Sequence, residues 1–138
     1  MDADVQHYLD TVTPAKRRRD AVTLVELMER VTGQPARLHG TMVGFGRYEY
    51  RYDSGREGEG PAACFAPRKA ASTIYVPDGV GAHAELLGRL GPHRTGVGCI
   101  YIKDLTEVDL AALEAIVAAS YSTVTAGTFG SRARESSS

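Results

Sequence analysis

The sequence predicts an α+β domain, a mainly antiparallel sheet backed by helices. Three observations carry that prediction. Residues 42–52 alternate aromatic and charged side chains with period two, as a half-buried strand does. Three further runs, 62–66, 72–76 and 99–103, are short, rich in Val, Ile, Tyr, Phe or Cys, and closed by Pro, Gly or Asp. Between and around them, apolar residues recur every three or four positions in 5–12, 22–31, 86–90 and 110–121, which is the spacing of helices that bury one stripe.

Taken in order, Asp2 and Asp4 are placed to cap a first helix carrying Val5, Tyr8, Leu9 and Val12. Thr13 and Pro14 make a second helix entry, with Thr as N-cap and Pro at the first helical position. That helix runs to Thr32, with Val22, Val25, Met28 and Val31 inward, Leu24 and Leu27 flanking, and Gly33 as its stop. Lys16, Arg17, Arg18 and Arg19 sit at its positive end, where cations are mildly unfavourable; the run reads as a solvated face or as an anion or partner contact. Residues 34–40 read as a connector with at most one helical turn.

Met42 to Tyr52 form the central strand, with Tyr48, Tyr50 and Tyr52 on one face and Phe45, Arg47, Glu49 and Arg51 on the other. Gly44 and Gly46 let it bend or approach another backbone. Residues 56–61 read as a Gly-rich hairpin loop, 62–66 as a second strand stopped by Pro67, and 72–76 as a third, so the three form a meander. A short helix, 82–90, ends at Gly91 and Pro92. After a loop through Val97, the strand 99–103 puts Ile100 and Ile102 on one side and Cys99, Tyr101 and Lys103 on the other. Thr106 reads as the cap of the last helix, Leu105 as a staple onto Leu110, and Leu110, Leu113, Ile116, Val117, Ser120 and Tyr121 as its buried stripe. One domain over 1–122 follows, and 123–138, without periodicity, reads as a disordered polar tail.

Composition narrows the function classes. In 138 residues, 43% are hydrophobic and 24% charged, ordinary values for a globular chain. A net charge of −1 supplies no global field toward nucleic acid or a membrane surface. No apolar run reaches the ~18 residues of a bilayer span, and the acidic start is unlike a signal peptide, so a cytoplasmic protein is expected. Cys64 and Cys99 are too few for a disulfide framework and read as buried thiols; no Cys-x-x-Cys or paired-His motif indicates structural zinc.

The assembled motifs add a resemblance. Gly44-Phe45-Gly46-x-Tyr48-x-Tyr50-Arg51-Tyr52-x-Ser54-Gly55, then Phe65-x-Pro67-Arg68-Lys69 and Tyr75, Leu90-Gly91, Thr95-Gly96, and Cys99-x-Tyr101-Ile102 before Leu105 resemble the YdhG-like family, over about residues 4–121. That family is catalogued as a domain of unknown function. The resemblance implies a compact fold of helices and strands and, through a member described as a frataxin-like iron chaperone, an iron cargo. The chain departs from the family's pattern near Pro92 and Val97, where lysines are frequent, leaving Arg94 and His93 as the nearest substitutes.

Candidate chemistry follows from these positions. Iron needs several hard oxygen ligands on one face; Asp109 and Glu114 on the last helix are the candidates, without a dense acidic ridge around them. An anion or metabolite has the better local case, since the turns at Pro67-Arg68-Lys69 and 93–98 offer backbone N–H groups and cations together. Arg68, Lys69, Tyr75, Arg94, Thr95 and Tyr101 are expected near one rim. A tyrosine-rich sheet face also suits a partner or a second copy of the chain. Catalysis has the thinnest support: His93 precedes Cys99 by six residues, and no paired-carboxylate or Ser/His/Asp signature stands out. The reading is therefore a non-enzymatic intracellular binding protein, either an iron chaperone or a small-anion module, with a homodimeric interaction domain as the third alternative.

Overall fold

In the computed structural model, which describes residues 2–52 and 54–130, four helices pack on one face of an antiparallel sheet. The elements are α1 (Ala3–Asp10), α2 (Ala15–Thr32), β1 (Ala36–His39), β2 (Met42–Phe45), β3 (Tyr48–Arg51), β4 (Glu57–Gly60), β5 (Ala63–Pro67), β6 (Ser72–Tyr75), α3 (Ala84–Leu90), β7 (Arg94–Thr95), β8 (Cys99–Ile102) and α4 (Leu110–Thr125). Six strands form the main sheet in the order β1-β2-β5-β6-β8-β7, and β3 and β4 form a separate two-stranded ribbon.

The α+β class and the mainly antiparallel sheet agree with the sequence pattern; the division between two sheets does not. The strand expected over Met42–Tyr52 breaks at Gly46, whose φ of 69° lies in the left-handed region that favours glycine. Val43, Gly44 and Phe45 pair with Phe65, Cys64 and Ala63, whereas Tyr48, Glu49, Tyr50 and Arg51 pair with Gly60, Glu59, Gly58 and Glu57. The expected flexible loop 56–61 is thus largely strand, and the expected connector 34–40 contains an edge strand, Ala36–His39, pairing with β2. Both stretches lack the β-branched and aromatic residues that mark strands, so composition hid them.

Register sorts the faces. Val43, Phe65, Ile74 and Ile100 lie opposite one another in adjacent strands and all are fully buried, with Phe45 and Ile102, against Leu24, Val25, Met28, Leu113 and Ile116 of the helices. The alternate positions, including Gly44, Cys64, Ala66, Thr73, Tyr75, Cys99 and Tyr101, face away from the helices. Tyr48, Tyr50 and Tyr52 do stack along one side of the ribbon, at 5.8 Å and 5.3 Å between ring centroids. They belong to a satellite cluster with Ala62, Tyr121, Val124 and Phe129 rather than to the open face of the main sheet.

Helix ends are partly as expected. Asp2 caps α1, its carboxylate accepting from the Asp4 N–H at 2.8 Å, and Gly33 closes α2 at φ 68°. At the start of α2, Pro14 itself stands at the N-cap without a side-chain cap, in place of Thr13. The last helix begins later than expected. Asp104 caps a single tight turn over Leu105–Glu107, and Asp109 then caps α4 through the N–H groups of Ala111 and Ala112. Leu110, expected inward, is 39% exposed because this later start rotates it off the buried stripe. The chain expected to be disordered from 123 continues α4 to Thr125, and Phe129 bonds backbone to backbone with Glu49 and Arg51 of β3. Residues 131–138 of that expected tail lie outside the described residues.

On α2 the buried face is rotated relative to the apolar count. Arg17, Asp20, Ala21, Leu24, Val25, Leu27, Met28 and Thr32 are buried, while Val22 and Val31 are only half-buried. Arg17, read as part of a solvated run or a partner contact, is 2% exposed. Its guanidinium donates to the carbonyls of Arg68 (2.8 Å), Lys69 (3.4 Å) and Lys103 (2.8 Å), tying α2 to the β5–β6 turn and to the end of β8. Asp20 stands 3.8 Å away and accepts from the Leu105 N–H at 3.0 Å. No helix among the described residues is long and apolar enough to cross a membrane.

Candidate functional site

The open face of the main sheet has a floor of small residues. Gly44, Cys64, Ala66, Thr73 and Cys99 occupy its centre, and all are buried although no core helix packs on them. Larger side chains of the same face shield them. Arg68 donates to the Thr41 hydroxyl at 2.8 Å, in the β1–β2 turn, and stands beside Tyr75. A side chain that meets both lies across Ala66, which accounts for its complete burial. Burial raises the Tyr75 phenol above its ordinary pKa, and the Arg68 guanidinium opposes that rise.

Across β8, Arg94 and Tyr101 pair in register, and the Arg94 guanidinium lies 5.9 Å from the centre of the Tyr101 ring, within cation–π range. These two residues, with Pro92, His93, Lys103 and Ala71, line a cleft of about 300 Å³ at the end of the sheet. Nδ1 of His93 donates to the Gly91 carbonyl at 2.7 Å, which orients the ring. Asp104 and Glu107 close the cleft's far wall. Asp104 is already engaged: its carboxylate accepts from the Thr106 hydroxyl (2.6 Å) and N–H (2.9 Å) and from Arg19 (2.8 Å), and these contacts hold its pKa below the ordinary carboxylate value.

The six residues expected near one rim therefore divide. Arg94 and Tyr101 meet at the cleft, and Arg68 and Tyr75 meet three strand positions away on the same face. Lys69 is exposed on the β5–β6 turn and contributes its carbonyl to Arg17. Thr95, opposite Ile100, has the helix-side parity and turns away from Arg94. Lys103 and the Asp104–Glu107 wall were not anticipated as site members. Lys103 continues the Cys99–Tyr101 alternation, and that signal was sufficient to place it here.

The carboxylates expected to hold iron are otherwise committed. Asp109 caps α4, and both oxygens of Glu114 take the Arg30 guanidinium, at 3.1 and 3.2 Å, which lowers the Glu114 pKa. Among the described residues no group of three or more His, Cys, Asp or Glu is arranged to hold a metal ion, so the donor set does not fit such a cargo. Cys64 is no nucleophile: burial, reinforced by the neighbouring Cys99, pushes its thiol up to about 12. A buried cluster missed in the sequence lies behind the sheet, where Asp78 accepts from Ser120 (2.7 Å) and bonds Nε2 of His83 (3.0 Å). With the carboxylate in the middle, the serine hydroxyl has no base, so the arrangement ties α4 to the 76–83 segment rather than activating a nucleophile.

No family model matches the chain, and no curated protein or solved structure is similar to it.

Proposed function

We propose that this protein is a non-enzymatic binding module for an anionic ligand, received on the open sheet face with the cleft at Arg94 and Tyr101 as its principal site. The observation that carries the reading is the Arg94 guanidinium held over the Tyr101 ring at the border of a 300 Å³ cleft that Lys103 and His93 also line. The aromatic ring fixes the cation in place without neutralising it, so its N–H fork remains able to take a phosphate or carboxylate. Glu107 and the already paired Asp104 leave Arg94 and Lys103 incompletely compensated. Binding rather than chemistry fits a site in which Cys64 is inert and no serine is paired with a base. The iron-carrier reading keeps only the resemblance as its support.

Thermal unfolding with phosphate, sulfate and nucleoside monophosphates tests this. Ligand at about 100 Kd adds roughly 2.7 kcal/mol, a rise in Tm on the order of 5–10 °C for a chain of this size. Arg94→Ala with Lys103→Ala should abolish the rise. Equal shifts in the substituted and unsubstituted proteins reject the site, and a shift produced by ferrous iron instead would favour the carrier reading.

A further inference from the structure

The open face offers more than one anion site, and its two Arg–Tyr pairs are spaced across strands rather than gathered in a single hollow. We infer that this face receives single-stranded nucleic acid, with bases against Tyr75 and Tyr101 and phosphates along Arg68, Arg94 and Lys103. The inference rests on the anion-binding reading above and names the class of ligand.

Geometry carries it first. Tyr75 pairs with Cys99 and Thr73 with Tyr101, so the two tyrosines are diagonal neighbours on the adjacent strands β6 and β8, with side chains on one face. Diagonal positions on a sheet are about 7–8 Å apart, and neighbouring strands of an open antiparallel sheet that each present one aromatic ring form a platform for successive unstacked bases. The floor between them is small-residue backbone, so nothing bulky stands between the rings and an incoming base. Each tyrosine has an arginine beside it, and guanidinium planes stack on bases as aromatic rings do.

Charge carries it second. The strand positions on this face include Arg37, His39 and Arg94 and no Asp or Glu, while Arg68 and Lys103 extend it at the ends of β5 and β8. The carboxylates that border it, Asp2, Asp104 and Glu107, stand at its margins, with Asp2 on Arg37 at 3.5 Å and Asp104 on Arg19. A net charge of −1 removes long-range attraction but leaves this local field, which acts within a Debye length. A duplex keeps its bases stacked inside and would leave both rings unused. An acidic peptide would meet the cations alone.

Fluorescence anisotropy of the full chain with a labelled oligouridine dodecamer at low salt decides the matter, with unlabelled duplex DNA, polyglutamate and inorganic polyphosphate as competitors. The oligouridine should bind, and duplex and polyglutamate should compete at least tenfold more weakly. Tyr75→Leu with Tyr101→Leu should weaken binding more than tenfold, since stacking contributes at each ring. Tyr75→Phe with Tyr101→Phe keeps the rings and should bind within about twofold, which separates lost stacking from lost folding. Arg68→Ala with Arg94→Ala should make the salt dependence shallower by about one power of concentration. Polyglutamate competing as well as oligouridine, or a Phe variant as weak as the Leu variant, overturns the nucleic-acid inference. Phosphate stabilisation without any oligouridine binding overturns it too and leaves the anion site standing, whereas loss of both removes the two readings together.

Discussion

A guanidinium that is 2% exposed must find partners inside the protein, and Arg17 finds three carbonyls and a carboxylate. Counting apolar residues alone placed Val22 and Val31 on the buried stripe of α2 and left the basic run outside it, because that count treats every charge as solvated. The actual stripe, 17-20-21-24-28, includes the ion pair, and only the carbonyls arriving from the β5–β6 turn and β8 make its burial tolerable. Arg17→Met should destabilise the protein by about 3 kcal/mol or more in urea unfolding, since it strands Asp20 and several backbone acceptors. Arg17→Lys should recover little, because one ammonium cannot reach carbonyls on two separate elements as the planar fork does. At Cys64 the thiol pushed up to about 12 predicts native-state resistance to alkylation: iodoacetamide at mildly alkaline pH should modify it only after denaturation, and rapid native labelling would contradict its burial.

Element boundaries turn on a few residues whose local chemistry is readable. Asp2 and Gly33 were legible as caps because each acts within its own helix turn. Asp109 was legible as an acidic residue near the start of α4 but not as its cap, since Thr106 three positions earlier offers the same sequence signal. Tertiary contact decided between them: the Asp109 N–H donates to the Leu90 carbonyl at 2.8 Å, which fixes where the chain turns into α4. Asp109→Ala should cost about 1 kcal/mol of stability and Asp109→Asn clearly less, as expected for a cap. The glycines separate similarly. Gly33 and Gly46 share a left-handed φ, of 68° and 69°, but a Cβ at Gly33 meets nothing within 4 Å, whereas at Gly46 it meets Gln34 at 3.1 Å and Tyr121 at 3.3 Å. Gly33→Ala should therefore cost about 1–2 kcal/mol from backbone strain alone, and Gly46→Ala more, read as a difference in urea midpoint.

For the molecule as a whole, pH reports on the ion pairs that join distant segments. Asp104 is held low chiefly by Thr106 and also by Arg19, and Glu114 by Arg30 across α2 and α4. A carboxylate whose folded pKa is depressed contributes stability above its unfolded pKa, and that contribution is lost as pH falls through the folded value. Stability should therefore decline below about pH 4, and Asp104→Asn with Glu114→Gln should flatten that decline without moving the neutral plateau far, since both pairs are at the surface. By itself the sequence determined the α+β class, the period-two segments, the Asp2 and Gly33 caps and the apolar content of the core, because each depends on residues a few positions apart. The tertiary structure alone decided that residues 42–52 serve two sheets, that Arg17 turns inward, and that Arg68 with Tyr75 and Arg94 with Tyr101 form two pairs instead of one rim. Strand partners lie tens of residues apart, and alternation along a strand reads the same whichever neighbour it will have; only the folded register chooses.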